Sequence, residues 1–249
     1  MDVNKQAVQR RFQRALPFYD KQAKAQQQIN RRLLSILQNT RSDFEHILEI
    51  GCGTGHFSSL LQQHIAAKQW WLNDLCEVGE HLAARLTQPY HLIVGDAEAL
   101  ALARQFDLIA SASTFQWFAD PPRFLTRLKR HLKPNGLLLF SVFSPDNLVE
   151  IRRLTQVGLD YPSIQQWHDW LAADFQILHT ESAQIRLIFE SPLAVLRHLQ
   201  QSGVTAVSRQ VWTKGRLKRF CADYQQYYSS NGGVRLTYTP LYLLARVKA

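Results

Sequence analysis

The 249-residue sequence predicts an α/β fold, a doubly wound and mostly parallel sheet with an antiparallel last strand. Three observations predict it. Between residues 46 and 143, short apolar runs alternate with segments of helical periodicity. Residues 137–143 are apolar at nearly every position, as in a central strand buried on both faces. A glycine-rich loop, Gly51-Cys52-Gly53-Thr54-Gly55, follows the first strand and opens a helix, which is where such sheets bind ligands.

The elements follow in order. Residues 5–38 read as helices, because Val8, Phe12, Leu16 and Tyr19 recur at helical spacing, as do Ile29, Leu33, Leu34 and Leu37. Pro17 is expected to break the first stretch. Residues 1–43 are thus an N-terminal helical cap. Residues 44–145 form the core, with strands at 46–50, 69–73, 91–94 and 106–110. Phe57, Leu60, Leu61 and Ile65 mark a helix after the first strand, and residues 76–87 mark the next. Asp120 is placed to cap a further helix, with Pro121-Pro122 in its first turn and Phe124, Leu125, Leu128 and Leu132 on its buried face. Pro134-Asn135-Gly136 then turns into the strand at 137–143.

Beyond Ser144 the rhythm is looser. Residues 147–157 and 163–172 read as helices, 175–190 as extended antiparallel strand, 192–202 and 213–228 as helices, and 236–247 mostly as strand. The piece at about 191–230 falls between the last strands. It is expected to form a helical lid over the sheet's carboxyl edge, within one domain spanning residues 1–249.

Composition narrows the function classes. Hydrophobic residues are 46% and charged residues 20%, an ordinary globular balance. No apolar run approaches the roughly 20 residues that cross a bilayer, and the polar start Met1-Asp2-Val3-Asn4-Lys5-Gln6 lacks a signal peptide's apolar stretch. The expectation is a soluble cytoplasmic protein that makes no membrane contact and acts as a monomer. Cys52, Cys76 and Cys221 are too scattered for a disulfide framework or a zinc site, and the histidines show no ligand spacing, so no metal is expected. The net charge of +9 is uneven. Residues 1–41 carry nine Lys/Arg against Asp2 and Asp20, and residues 209–219 carry five with no acid. Such faces favour a polyanionic partner.

The glycine loop separates two ligand classes. A dinucleotide site uses GxGxxG, with a pyrophosphate at the helix N-terminus. Counted from Gly51, that pattern needs glycine where His56 stands. The string Glu49-Ile50-Gly51-Cys52-Gly53-Thr54-Gly55 instead resembles motif I of the class I S-adenosylmethionine-dependent methyltransferases, a Rossmann-like fold. The resemblance implies that this loop holds S-adenosylmethionine, with Glu49 binding its cationic methionine part beside Gly51, Cys52, Gly53 and Gly55. Asp74, followed by Leu75, ends the second strand and is placed to accept from the ribose hydroxyls. Gly95-Asp96-Ala97 resembles the family's adenine-recognition segment, where Asp96 would accept from the exocyclic amine. Leu132-Lys133-Pro134-Asn135-Gly136 resembles the turn before its fifth strand, with Asn135 tolerating left-handed backbone angles. Asp120-Pro121-Pro122-Arg123 looks like the (D/N)PP(Y/F) motif of amino-methyltransferases. It lies about ten residues past Ala110, however, and has Arg123 in place of the aromatic, so it reads as a helix start.

The flanks bear on the methyl acceptor. Val3-Asn4-Lys5-Gln6-Ala7-Val8 with Phe12 and Phe18-Tyr19-Asp20, the Ser111 to Gln116-Trp117 stretch, residues 196–203 and Leu236-Thr237-Tyr238 resemble the malonyl-acyl-carrier-protein O-methyltransferases of biotin synthesis. Gln200, Ala112 and Val204 depart from that family's usual residues. The resemblance implies methylation of the free carboxylate of a malonyl thioester, carried by an acidic acyl carrier protein that docks on the basic regions. Tyr19 is then expected to shape the acceptor pocket, with Gln116 and Trp117 lining it from the core, and Arg152, Arg153 and Arg197 are candidate carboxylate partners. Trp167, Trp170 and Trp212 read as core. The alternatives are a methyltransferase for a small carboxylate or quinone, an RNA methyltransferase, for which no RNA-binding module is present, and a non-catalytic module of the same fold.

Overall fold

The computed structural model describes residues 4–203 and 212–248. Val3, Val204 and Arg209, on which parts of the sequence reading rested, lie outside the described residues. Ten strands and nine helices are described. The strands are β1 (Asp43–Ile50), β2 (Ala66–Asp74), β3 (His91–Val94), β4 (Phe106–Ala112), β5 (Leu132–Phe143), β6 (Phe175–Ser182), β7 (Ile185–Phe189), β8 (Ser229–Ser230), β9 (Gly233–Tyr238) and β10 (Pro240–Val247). The helices are α1 (Lys5–Gln22), α2 (Lys24–Gln38), α3 (His56–His64), α4 (Gly79–Arg85), α5 (Pro121–Leu128), α6 (Val149–Thr155), α7 (Ile164–Leu171), α8 (Pro192–Gln201) and α9 (Lys214–Tyr228).

Seven strands form the main sheet in the order β3-β2-β1-β4-β5-β10-β6. Strands β1 to β5 pair in parallel, and β10 enters antiparallel between β5 and β6. The last strand is therefore antiparallel, as expected. Alternating side chains of β5 supply two cores: Leu137, Leu139 and Phe143 pack on one face, and Leu138, Phe140 and Val142 on the other. Burial on both faces explains the strand's unbroken apolar run. Trp167 is fully buried in the second of these cores, while Trp170 and Trp212 are partly buried against the cores. Asn135 takes the left-handed conformation, with φ +61°. Asp120 caps α5 by accepting from Arg123 N at 3.1 Å, so the Asp-Pro-Pro string is a helix start.

Four details differ from expectation. Helix α1 runs through Pro17 and ends at Ala23, where ψ turns to +39° and α2 begins. The proline removes one N–H, but side chains on either side of it anchor the helix, Lys5 to Asp96, Gln9 to Leu75 O and Asp20 to Thr54. Helix α4 starts at Gly79 rather than Cys76, because Cys76 N donates to Asp74 Oδ1 at 2.8 Å and so belongs to the strand-end loop. The extended stretch 175–190 is two strands. β6 closes the main sheet, whereas β7 belongs to a small antiparallel sheet, β7-β9-β8. The stretch 236–247 is divided in the same way at Thr239, so that β9 and β10 serve different sheets. Helix α8 packs on α1, and α9 packs on α6 and β9.

At the sheet's far end, Glu45, His46 and Asp107 bring potential ligand atoms within 4.8 Å of one another. Lys133 Nζ lies 2.9 Å from both Glu45 Oε2 and Asp107 Oδ2 and already neutralises the cluster. It holds the Glu45 carboxyl near 2, together with Lys68. Among the described residues no helix is long and apolar enough to cross a membrane.

Candidate active site

The strand order reverses between β1 and β4, and a cavity of about 1080 Å³, mouth included, opens at their carboxyl ends. Its floor comes from the strand ends. Ile50, which ends β1, is followed by Gly51 and Gly53; Asp74, which ends β2, by Leu75; Gly95, Asp96 and Ala97 follow β3; and Ala112, which ends β4, is followed by Ser113 and Thr114. Its roof is α1. Val8, Phe12, Leu16 and Tyr19, the stripe that marked the helix in the sequence, line this cavity. A smaller cavity beside it is lined by Gln26, Asn30, Glu49, Cys52 and Thr54.

The glycine loop is shaped by its conformation. Gly51, Gly53 and Gly55 have φ of +76°, +53° and +78°, all in the left-handed region that side chains resist. A Cβ on Gly51 would lie 2.1 Å from Thr114 Oγ1. A Cβ on Gly53 meets nothing within 4 Å, because it would project into open space at the cavity. Gly55 lines neither cavity; it precedes α3 and packs close against Leu82. The loop is braced by Asp74, whose Oδ2 accepts from Gly53 N at 2.8 Å while Oδ1 accepts from Cys76 N. Each oxygen keeps a second lone pair for a ligand hydroxyl. Burial pushes the Asp74 carboxyl above its ordinary pKa. Asn73, one residue earlier, ties β2 to the end of β3 through Ile93 O and Gly95 O, at 2.8 and 3.0 Å.

Glu49 is 1% exposed. Its Oε2 accepts from Ser58 Oγ at 2.6 Å, and its Oε1 has no partner. Burial pushes its pKa up to about 8, against the Ser58 hydrogen bond, and the nearby Asp74 adds to the rise. It is not alone. Gln26 Oε1, Asn30 Oδ1 and Gln116 Oε1 are also buried without partners, and all four residues line one of the two cavities. Buried acceptors with nothing to accept from suit a ligand rich in donors and positive charge. A pyrophosphate needs donors and cations. Among the described residues the only Lys or Arg lining the main cavity is Lys5, which is committed to Asp96 at 2.5 Å and to Glu98. The residues therefore fit the ammonium and sulfonium of S-adenosylmethionine and do not fit a dinucleotide.

The roof is fastened at both ends. At its start, Lys5 pairs with Asp96 and Glu98. In its middle, Gln9 Nε2 donates to Leu75 O at 2.8 Å. Near its end, Asp20 accepts from Thr54 Oγ1 at 2.6 Å and pairs with Arg85. Phe12 meets Trp117 edge-on, with ring centroids 5.7 Å apart.

The structure thus brings Tyr19, Gln116, Trp117, Gly51, Gly53, Asp74, Leu75, Asp96 and Ala97 to one cavity, and Glu49 and Cys52 to its neighbour. It does not bring Arg152, Arg153 or Arg197 there. Arg152 donates to Pro145 O, while Arg153 on α6 and Arg197 on α8 are exposed. Sequence reading missed Gln26, Phe143, Tyr161 and Ser202, which reach the cavity from four separate segments and carry no motif.

Residues 19–191 match the family model described as a methyltransferase domain. A malonyl-acyl-carrier-protein O-methyltransferase of Haemophilus influenzae is 44% identical over 98% of this chain and 95% of its own length. One of Porphyromonas gingivalis is 46% identical over 98% and 97%. The chain belongs to the malonyl-acyl-carrier-protein O-methyltransferase family. S-adenosylmethionine is the methyl donor of this family's reaction. Solved structures show the same fold at lower identity. The Bacillus subtilis YcgJ protein has a TM-score of 0.62 at 14% identity, covering 87% of this chain and 98% of that one. The N-methyltransferase NodS of Bradyrhizobium japonicum, in complex with S-adenosyl-L-homocysteine, has a TM-score of 0.52 at 15% identity, covering 88% and 86%.

Proposed function

We propose that this protein transfers a methyl group to the free carboxylate of a malonyl thioester carried by acyl carrier protein. The observation that carries the reading is the full-length likeness, 44–46% identical, to relatives of that name. The chemistry of the cavity supports it. S-adenosylmethionine supplies an activated methyl group on a sulfonium. A carboxylate has a pKa of about 4 and is ionised at neutral pH. Its oxygen bonds to the methyl carbon as the sulfur leaves with the electron pair, and no proton moves. The site accordingly has no need of a general base, and its work is alignment.

On this reading Glu49 receives the ammonium of the methionine part, Asp74 the ribose and Asp96 the adenine amine, with Gly51, Cys52 and Gly53 giving close backbone approach, Gly55 shaping the loop from behind, and Leu75 and Ala97 packing beside the base. Tyr19, Gln116 and Trp117 shape the acceptor end and exclude water. The exposed Arg10, Arg14 and Lys21 on α1, together with basic residues of α9, suit an acidic carrier. The enzyme is read as a cytoplasmic monomer of one domain, with residues 191–230 as a lid over the acceptor and no nucleic-acid partner.

Mass spectrometry after incubation with S-adenosylmethionine tests the reading. Malonyl carrier protein gains one methyl group, and Asp74→Ala abolishes the gain. No gain on either the carrier thioester or malonyl-CoA refutes it.

A further inference from the structure

The acceptor end of the cavity is built from uncharged groups. Tyr19, Gln26, Gln116, Phe143, Tyr161 and Ser202 line it, and among the described residues no arginine does. The groups there that can hold an anionic acceptor are neutral donors. Tyr161 is the best placed of these. It lies between α6 and α7, is buried, and belongs to no helix or strand. Asn147 Nδ2 donates to its hydroxyl at 3.3 Å. The direction of that amide is fixed, because Asn147 Oδ1 accepts from Thr239 N at 3.0 Å. The phenol oxygen is thus an acceptor on its protein side, which leaves its own proton to give. No hydrogen bond from that proton to another described residue is present, and the ring lines the cavity.

Tyr19 faces the same space from the roof. Tyr238 lies near enough to both that each adds to the rise of its pKa, after burial. Among the described residues, Tyr161 and Tyr19 are the two tyrosines that line the cavity. Burial also pushes Tyr161 up to about 12, against the Asn147 hydrogen bond, and Tyr19 well above its ordinary value, so both remain protonated at neutral pH.

We propose that the hydroxyls of Tyr161 and Tyr19 hold the acceptor's carboxylate, and that Tyr161 is the residue by which the site tells a free carboxylate from its ester. The proposal rests on the carboxyl-methylation reading above. It also has a kinetic logic. The acceptor's negative charge disappears as the methyl group arrives, so an arginine pair would hold the reactant more tightly than the transition state. Neutral donors orient the oxygen with less of that penalty. Once the ester has formed, the charge that strengthened both hydrogen bonds is gone, and the product is held more weakly.

The test uses the full chain loaded with S-adenosylhomocysteine, titrated with malonyl-pantetheine and with its methyl ester, alongside initial rates on malonyl carrier protein. The wild type is expected to bind the acid at least about tenfold more tightly than the ester, as hydrogen bonds to a charged group allow. Tyr161→Phe is expected to bring that preference below about threefold and to lower kcat/KM about tenfold or more. Its affinity for S-adenosylhomocysteine stays within about twofold, since the ring is kept. If Tyr161→Phe does not fold, Tyr19→Phe carries the same test, and loss of the acid preference supports the proposal. An unchanged acid preference in the folded variant overturns it. So does loss of that preference in Arg152→Ala, Arg153→Ala or Arg197→Ala with Tyr161→Phe unaffected. A wild type that binds S-adenosylhomocysteine but neither binds the acid nor methylates the thioester overturns the functional reading, and this inference with it.

Discussion

On the proposed reading, in which Glu49 receives the ammonium, cofactor binding is a proton-linked event. With its pKa near 8 in the ligand-free protein, the side chain is mostly protonated at neutral pH. An ammonium needs the ionised form, so binding must expel the proton. A small fraction of the protein carries ionised Glu49 at pH 6.5 and about half does at pH 8, so S-adenosylhomocysteine affinity is expected to rise on the order of tenfold, or roughly 1–2 kcal/mol, across that window. The same shift appears in stability with the opposite sign. A carboxyl whose folded pKa is raised from 4.5 to about 8 stabilises the folded state below pH 4.5 and loses that contribution as pH rises through 8. The ligand-free protein is therefore expected to lose roughly 1–2 kcal/mol from this group between pH 6.5 and 8, while the loaded protein gains in relative terms. Calorimetric titration in buffers of different ionisation enthalpy measures the protons released, and thermal melts measure the stability. Glu49→Gln is expected to flatten both profiles and to weaken binding at pH 8. A proton release near zero at pH 7 in the wild type, equal to that of Glu49→Gln, would refute the reasoning.

Other perturbations follow from the same geometry. Gly51→Ala places a Cβ against the Thr114 side chain at a left-handed φ and is expected to cost at least about 2 kcal/mol in chemical denaturation. Gly53→Ala meets no protein atom, so it is expected to cost only about 1 kcal/mol in stability while lowering cofactor affinity at least about tenfold by calorimetry. Lys5→Ala removes the paired ammonium at the start of α1 and is expected to speed cofactor dissociation several-fold in stopped-flow fluorescence, with a smaller effect at high salt. His198 is buried beside Tyr238, and burial holds its pKa near 4, so stability is expected to fall by roughly 3 kcal/mol as pH drops from 6.5 to 4. Melts of His198→Gln are expected to lose that acid limb.

That the proposed cofactor residues gather at one place was legible because they stand next to strand ends. Glu49, Gly51, Gly53 and Asp74 are fixed by a strand, a tight turn and a helix in immediate succession, and chain order alone places them at the sheet's switch point. The acceptor half was not. Tyr161 and Ser202 reach the cavity from loops whose neighbours in space are distant in sequence. The three arginines had suitable chemistry, but a side chain's charge does not reveal its direction, and Arg152 turns to a backbone carbonyl outside the cavity. The stripe of Val8, Phe12, Leu16 and Tyr19 was read correctly as a helix face, but periodicity cannot distinguish a face against solid core from one over a ligand space. Pro17 was taken for a break because propensity is local, whereas α1 is held by contacts along its whole length.

The fastening of α1 constrains traffic through the enzyme. The helix is the ceiling of the main cavity and is stitched to its floor at Lys5, Gln9 and Asp20, so the cavity cannot widen on that side until those stitches part. Parting them wets Phe12 and Leu16, which makes the open state short-lived. A swing of α1 about the break at Ala23 is therefore opposed by those contacts, and weakening them is expected to speed ligand release.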